Sequence, residues 1–261
     1  VKRGEEIRRA LIEEGVFVLS LNVQRVGSTL VLPLTGPREG AEIFNFETQP
    51  ERQTLPRHEL IGGIAVMLDR DPAGAANILT TRPSIHTVVY AASEVSGEYR
   101  TREFEILAGT PTTRTEVIEY GHRFTVDLTE AYFSARLSTE RQRINNQVHK
   151  NETILDMFAG VGPFAITLAK KAAFIVASDI NPQAIMLMLE NISLNRVKNI
   201  IPMLADAHRV PAVLPWKFDR IVMNLPLAGK EFLPEAFRMC KTGGKIHFYT
   251  LVSARGEHTA R

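Results

Sequence analysis

Asp156-Met157-Phe158-Ala159-Gly160-Val161-Gly162-Pro163-Phe164 is the stretch on which the fold turns. Residues 153–158 form an apolar run of strand length, and a helical pattern opens directly after the glycines. Glycine at 160 and 162 lets backbone N–H groups approach a ligand closely, while Pro163 suits a first helical turn, where its missing N–H costs nothing. Outward from this point the chain alternates strictly, with a helix over 162–171, strand 174–179, helix 182–195, strand 200–205, strand 218–224, helix 230–239 and strand 245–251. Five strands separated by crossovers predict an α/β, Rossmann-like, doubly wound parallel sheet that binds its ligand at the carboxyl ends of the strands.

Gly160, Gly162 and Ala165 satisfy the loose dinucleotide pattern, so NAD has to be weighed. Three further strand ends favour a different cofactor. Asp179 ends the second strand, where a carboxylate can accept two ribose hydroxyls, as either NAD or S-adenosylmethionine would require. Asp206 ends the third, where a carboxylate can accept from an adenine amino group, and Asn224-Leu225-Pro226 ends the fourth, facing the reacting centre. That set suits S-adenosylmethionine, whose sulfonium needs no phosphate cradle. Either aspartate alone would serve equally well as a helix cap or turn residue. Alignment at four strand ends carries the reading, with Asp156, Phe158, Gly160, Gly162, Asp179, Asp206 and Asn224 as the cofactor-binding set.

Upstream the pattern changes. Residues 5–14 read as a short amphipathic helix with Ile7, Ala10 and Leu11 on one face, followed by strands over 16–23 and 29–34 with Gly27-Ser28 as the turn. Two prolines in the polar run 47–56 mark a linker and a boundary near 50. Strands then dominate, at 61–68, 87–91, 103–107, 115–120 and 122–126, the last pair joined across Gly121, with a helix at 73–79. Residues 129–147 read as one helix. The organisation is a small N-terminal α+β unit (1–50), a mixed α+β substrate-recognition domain (51–145) and the Rossmann-like domain (146–261).

Of 261 residues, 44% are hydrophobic and 23% charged, a globular balance that excludes disordered, collagen-like and membrane classes. The single Cys240 excludes an internal disulfide, no Cys/His run has zinc-finger spacing, and none of the seven histidines is assigned to a metal. No apolar run reaches bilayer length, and the charged start Val1-Lys2-Arg3 lacks a signal peptide's apolar stretch, so a cytoplasmic protein is expected. Valine at position 1 and the short run after the last strand read as trimmed ends. Net charge is +2, with 18 basic against 20 acidic residues in 1–150 and 13 against 9 in 151–261. A nucleic-acid surface must therefore be local. Arg100, Arg102, Arg114, Arg123, Arg136, Arg141 and Arg143 fall in one stretch with seven acidic residues interspersed. That stretch fits a solvated mixed face and an RNA-reading surface equally.

Tyr132-Phe133-Ser134-Ala135-Arg136-Leu137-Ser138-Thr139-Glu140-Arg141 before the glycine motif and Asn224-Leu225-Pro226 after it carry a resemblance. With Tyr99-Arg100-Thr101-Arg102-Glu103, they make the chain similar, over nearly its whole length, to the archaeal and eukaryotic tRNA guanine-37 N1-methyltransferase family. The resemblance implies an S-adenosylmethionine-dependent enzyme that methylates the guanine 3′ to the anticodon, with tRNA as partner, no membrane partner, and a monomeric state. Guanine N1 carries a proton and is a poor nucleophile. Methylation there needs a base at N1–H and a cation or donor near O6, where negative charge develops. The resemblance implies Glu140 as the base, Arg100 at O6 and Asn224 on the guanine edge. Tyr132 and Arg136, at i−8 and i−4 from Glu140 on one helical face, line the pocket in this reading, and Arg141 and Pro226 complete the substrate-binding set. Spacing alone fits a plain Arg136–Glu140 pair as well.

Leu225 and Leu227 replace the proline and aromatic residue of Asn-Pro-Pro-Tyr signatures, which disfavours an exocyclic-amine methyltransferase. Trp216 reads as a packing residue before the fourth strand. Two alternatives remain. One is a wybutosine-pathway transferase, acting by aminocarboxypropyl transfer or by methylation of a wyosine intermediate; it shares the first two motifs in part but lacks Asn-Leu-Pro. The other is a tRNA-binding module with an inactive cofactor fold, suggested because the family continues past the fifth strand with a helix and a closing strand pair, whereas ten residues follow Leu251.

Overall fold

A computed structural model of the chain describes residues 2–37, 41–48 and 54–251. Residues 1–55 and 56–261 form two compact units. In the first, α1 (Lys2–Glu13) precedes an antiparallel hairpin of β1 (Gln24–Val26) and β2 (Thr29–Val31). The strand expected over 16–23 does not form. That segment is irregular chain held by isolated bridges from Phe17 to Leu34 and Leu21 to Thr48, and only Phe17 in it is buried, so no sheet face holds it extended. Of the expected linker, residues 49–53 lie outside the described residues, as do the ten after Leu251.

The second unit opens with a four-stranded sheet in the order β3 (His58–Ile61), β4 (Ile64–Met67), β5 (Thr87–Ala91), β6 (Phe104–Gly109), with α2 (Pro72–Thr81) crossing between β4 and the parallel β5. The single strand expected at 61–68 is thus two, turned at Gly62-Gly63. Gly62 has φ +55°, and a Cβ there would lie 2.2 Å from the Glu116 carbonyl oxygen, so only glycine fits the turn. Asp71 caps α2 through the Gly74 N–H and Pro72 occupies its first turn.

β7 (Arg114–Glu119) and β8 (His122–Asp127) form a hairpin closed by Tyr120 at φ +47° and Gly121 at φ +85°, the left-handed pair that a tight hairpin turn requires. Asp127 Oδ1 then accepts from Thr113 Oγ1, Thr129 N and Thr129 Oγ1, a knot that ends the strand in a turn. Consequently residues 129–134 are not helical. A 3-10 turn at Ala135–Leu137 leads into α3, which spans only Ser138–Gln147. Tyr132 is therefore off the helix, and Arg136 is out of α-helical register with Glu140.

The Rossmann-like part comprises β9 (Thr153–Asp156), α4 (Pro163–Ala169), β10 (Phe174–Asp179), α5 (Pro182–Leu194), β11 (Ile200–Leu204), α6 (Val210–Val213), β12 (Phe218–Met223), α7 (Leu233–Met239) and β13 (Cys240–Phe248). The sheet order is β11-β10-β9-β12-β13 with every neighbour parallel. The helix expected over 230–239 starts as a 3-10 turn at Gly229–Phe232, and β13 starts at Cys240 because its register with β12 slips between Phe218 and Arg220. Successive β9 side chains serve opposite faces: Ile154 packs in a cluster with Phe164, Ile175 and Ile185, Leu155 in another with Val210, Phe218 and Met239.

Asn191 on α5 and Asn195 at its C-cap, one helical turn apart, join the hairpin to this part. Asn191, fully buried, accepts from Thr125 N and donates to the Thr125 and Val161 carbonyls, while Asn195 accepts from Arg123 N and donates to the Arg123 carbonyl. They satisfy backbone groups at the edge of β8 that face away from its one strand neighbour, β7. One apolar core runs from Ile61 and Phe124 across to Phe164 and Ile185.

Candidate active site

The carboxyl ends of β9, β10, β11 and β12 open into a cavity of about 890 Å³, within the range of small-molecule sites. Phe158, Gly160, Asp179, Asp206, Asn224, Pro226, Arg100, Tyr132, Arg136 and Arg141 all line it. Asp156, Gly162 and Glu140 are not part of its wall.

On the β10–β11 side the glycine turn sets the geometry. Gly160 sits at φ +55° with its N–H donated to Asp179 Oδ2 at 2.7 Å, and Asp179 Oδ1 accepts from Asn181 N at 2.9 Å. Gly162, at φ +86°, caps α4 and donates its N–H to the Ala159 carbonyl; a Cβ there would lie 2.8 Å from Met188. Both glycine amides that a dinucleotide pyrophosphate would take are thus committed inside the protein, which disfavours NAD. Carboxylates at Asp179 and Asp206, with the apolar Phe158 and Phe232 rings 5.0 Å apart on the same cavity wall, fit a nucleoside without a phosphate bridge. S-adenosylmethionine meets that description. Burial raises the Asp179 carboxyl above its ordinary range, opposed by the amides it accepts from. Asp156, behind the turn, is 1% exposed and neither carboxylate oxygen has a hydrogen-bond partner. Burial first, then the charge of Asp179, pushes it up to about 7, against the nearby Phe158 and Ala165 amides, which favour its charged form without making a well-formed hydrogen bond.

The arginine stretch resolves into pairs. Arg114 binds Glu190, Arg123 binds Glu116, Arg136 binds Glu59, Arg141 binds Glu119 and Arg143 binds Glu140. The Arg136–Glu140 pair allowed by spacing is absent, since Arg136 reaches β3 instead. Arg102 lies over the Phe104 ring. Arg100 alone of the seven has neither a carboxylate nor a ring partner among the described residues, and it sits on the cavity wall at φ +57°, a left-handed conformation costly for a side-chain-bearing residue. The Asn224 carboxamide likewise has no protein partner among the described residues.

Arg141, expected among the substrate-binding residues, is 2% exposed. It binds Glu119 through two hydrogen bonds of 2.9 and 2.6 Å, gives a third to the Ser134 carbonyl, and lies against the Phe133 and Phe164 rings. Its Nε and Nη2 donors are taken up inside the protein, and the buried guanidinium forms part of the cavity wall. Glu140 accepts two 2.7 Å bonds from Arg143 and a third of 2.7 Å from the Tyr249 hydroxyl. Arg143, then Tyr249, hold its carboxyl below the ordinary range against the opposing effect of burial. Tyr249 lines the cavity and links Glu140 to it.

Sequence reasoning did not anticipate Tyr249, Phe232 or His208, which stacks on Phe232 at 4.2 Å. Tyr249 had a usable signal, because the same strand-end rule that picked Asp179, Asp206 and Asn224 also applies to the fifth strand. Trp216 is 46% exposed and packs edge-on against Phe174. Among the described residues no cluster of metal-ligating side chains is found, and no helix is long and apolar enough to cross a membrane.

A parallel 3-2-1-4-5 sheet, a glycine turn without phosphate donors and acidic residues at the second and third strand ends together define a class I, S-adenosylmethionine-dependent methyltransferase. Comparison with known proteins gives the family. The TRM5/TYW2 methyltransferase domain matches residues 115–258, and the chain belongs to that family. It is 38% identical over 273 residues to the tRNA (guanine(37)-N(1))-methyltransferase Trm5b of Pyrococcus abyssi, covering 95% of this chain and 82% of that one. The crystal structure of that enzyme superposes with a TM-score of 0.76 at 37% identity, over 96% of this chain and 82% of its own. A complex of aTrm5 with tRNALeu gives 0.73 at 32% identity, over 95% and 85%. Methanocaldococcus jannaschii TYW2 in complex with AdoMet gives 0.57 at 28% identity, over 74% and 76%.

Proposed function

We propose that this chain methylates N1 of the guanine at position 37 of tRNA, 3′ to the anticodon. The observation that carries the reading is Arg100: where five of the other six arginines of the stretch are ion-paired, its guanidinium has no carboxylate or ring partner among the described residues and is held on the cavity wall in a strained turn. An anionic or strongly polar group of the substrate is what such a cation awaits, and O6 of a guanine losing its N1 proton is one. Asn224, also unpaired on this wall, holds the guanine edge. Glu140 is the base, kept ionised at neutral pH by Arg143. Asp179 and Asp206 hold S-adenosylmethionine, with Phe158 and Gly160 on the same wall and Asp156 and Gly162 fixing the turn behind it. When bound, that cofactor supplies an electrophilic methyl group. Tyr132 and Pro226 flank the base in this reading, with Arg136 at the rim.

A base inside a folded RNA reaches such a pocket only by leaving its stack, and loop bases leave most easily. Identity of 38% over 95% of the chain to a guanine-37 methyltransferase, against 31% over 82% to the tRNA 4-demethylwyosine(37)-methyltransferase Taw21 of Saccharolobus solfataricus, supports guanine over a wyosine intermediate. Residues 1–50 add tRNA contacts in this proposal, 51–145 recognise the substrate and 146–261 hold the cofactor; the enzyme works as a monomer in the cytoplasm.

The test is incubation of tRNA with labelled S-adenosylmethionine followed by nucleoside mass spectrometry. One methyl on guanine 37 is expected. Aminocarboxypropyl addition, or product only on a wyosine-containing tRNA, refutes the proposal. Glu140→Gln should slow single-turnover methylation by about 10²–10⁴-fold with cofactor binding intact, and Arg100→Ala by a comparable factor.

A further inference from the structure

Glu140 is bound on three sides and does not reach the cavity wall, yet the N1 proton must reach it. Between the two stands Tyr249. Its ring packs 5.9 Å from that of Phe164, its N–H donates to the carbonyl of Met223, the residue before Asn224, and its hydroxyl donates to Glu140 Oε1 at 2.7 Å. The residue is thus tied through its main chain beside the residue assigned to the guanine edge and through its hydroxyl to the residue assigned as base.

We infer that Tyr249 relays the proton from guanine N1 to Glu140, a step that rests on the guanine reading above. The N1–H bond breaks toward the Tyr249 oxygen as the hydroxyl's own proton passes to Glu140 Oε1. N1 keeps the electron pair and takes the methyl group, the phenol is restored, and Glu140 ends as a neutral acid. Tyr249 holds no charge at any stage. Burial, and the neighbouring Glu140 carboxylate, raise its ionisation well above the ordinary phenol range, so the hydroxyl is always present to donate. Other charged or titratable groups acting on this pair are Arg143 from α3, His247 from β13 and Asp156 from β9. Burial, then Arg220, pushes His247 down to about 4, so it is neutral across the working range.

Tyr249→Phe tests the relay in the full chain, by single-turnover methylation of tRNA with equilibrium binding of S-adenosylmethionine and tRNA measured alongside. A direct base already ionised gives a rate flat over about pH 6 to 8. With the relay cut, only guanine that has ionised by itself reacts, so the variant should bind both ligands normally, fall by about 10²-fold or more at neutral pH, and accelerate tenfold per pH unit. Combining it with Glu140→Gln should cost no more than the worse single change. A variant within about threefold of the parent rate, a lower rate that stays flat with pH, or losses that multiply in the double variant would each overturn the relay, the flat profile showing that the hydroxyl only positions Glu140. A normal rate in Glu140→Gln alone would instead overturn the assignment of Glu140 as base.

Discussion

Replacing Glu119 by Gln isolates the one buried charge pair at the junction of hairpin, α3 and cavity. The Arg141 and Glu119 side chains are 2% and 7% exposed, so neither charge is screened by solvent, and Arg141 also sits against two aromatic rings. Glutamine keeps the size and one acceptor but strands the guanidinium. Removing one partner of a buried pair costs about 3–5 kcal/mol, and the retained amide acceptor argues for the lower end. In a unit of this size each kcal/mol moves the melting temperature by about 2–4 °C, so a loss of roughly 6–12 °C is expected by calorimetry or circular dichroism. Because the pair is shielded, the loss should hardly change with added salt. Replacing both residues, Glu119→Leu with Arg141→Met, removes the desolvation cost along with the attraction and should restore most of the stability. The double variant should also bind tRNA within about threefold of the parent, since Arg141 is 2% exposed and its Nε and Nη2 are taken by Glu119 and Ser134. A Glu119→Gln protein melting within about 2 °C of the parent would refute the energetic argument. A stable double variant that fails to bind tRNA would return Arg141 to the substrate-binding residues.

Two further outcomes follow from the carboxylates around the glycine turn. Asp179→Ala should weaken S-adenosylmethionine binding by about 1–3 kcal/mol in calorimetry with tRNA affinity nearly unchanged; unaltered cofactor affinity removes Asp179 from the site. Asp156 has a folded-state value of about 7, raised from 3.8, so the folded protein holds a proton that the unfolded chain has lost across that window. Stability from this group is therefore full at the acid end and lost as pH rises toward about 7. Asp156→Asn should flatten that decline and melt higher than the parent at about pH 8 without cofactor; a parent that gains stability over the same range through this residue contradicts an unpaired, buried carboxyl.

What the sequence discloses divides by the range of the interactions involved. β5 and β10 match their expected spans because short apolar runs between turn residues report burial locally. The same rule misreads 61–68 as one strand, since the apolar residues continue through two glycines whose turn is demanded by Glu116, far along the chain. It also extends the helix back to 129, because the threonines and Asp127 that stop it there act through side-chain hydrogen bonds that periodicity does not register. The arginines show the limit most sharply. Arg114, Arg136 and Arg141 find their carboxylates 76, 77 and 22 residues away, so composition could not say whether the stretch was a solvated face or an RNA surface. In the folded chain five of the seven arginines pair with carboxylates, Arg102 lies over a ring and Arg100 has neither kind of partner among the described residues. Glu140 follows the same logic. Its i,i+4 neighbour Arg136 is drawn to Glu59, its i+3 neighbour Arg143 takes the carboxylate, and its link to the cavity comes from Tyr249, 109 residues downstream. A motif can name Glu140, but its contact with Tyr249 exists only once the fifth strand has been laid beside the fourth.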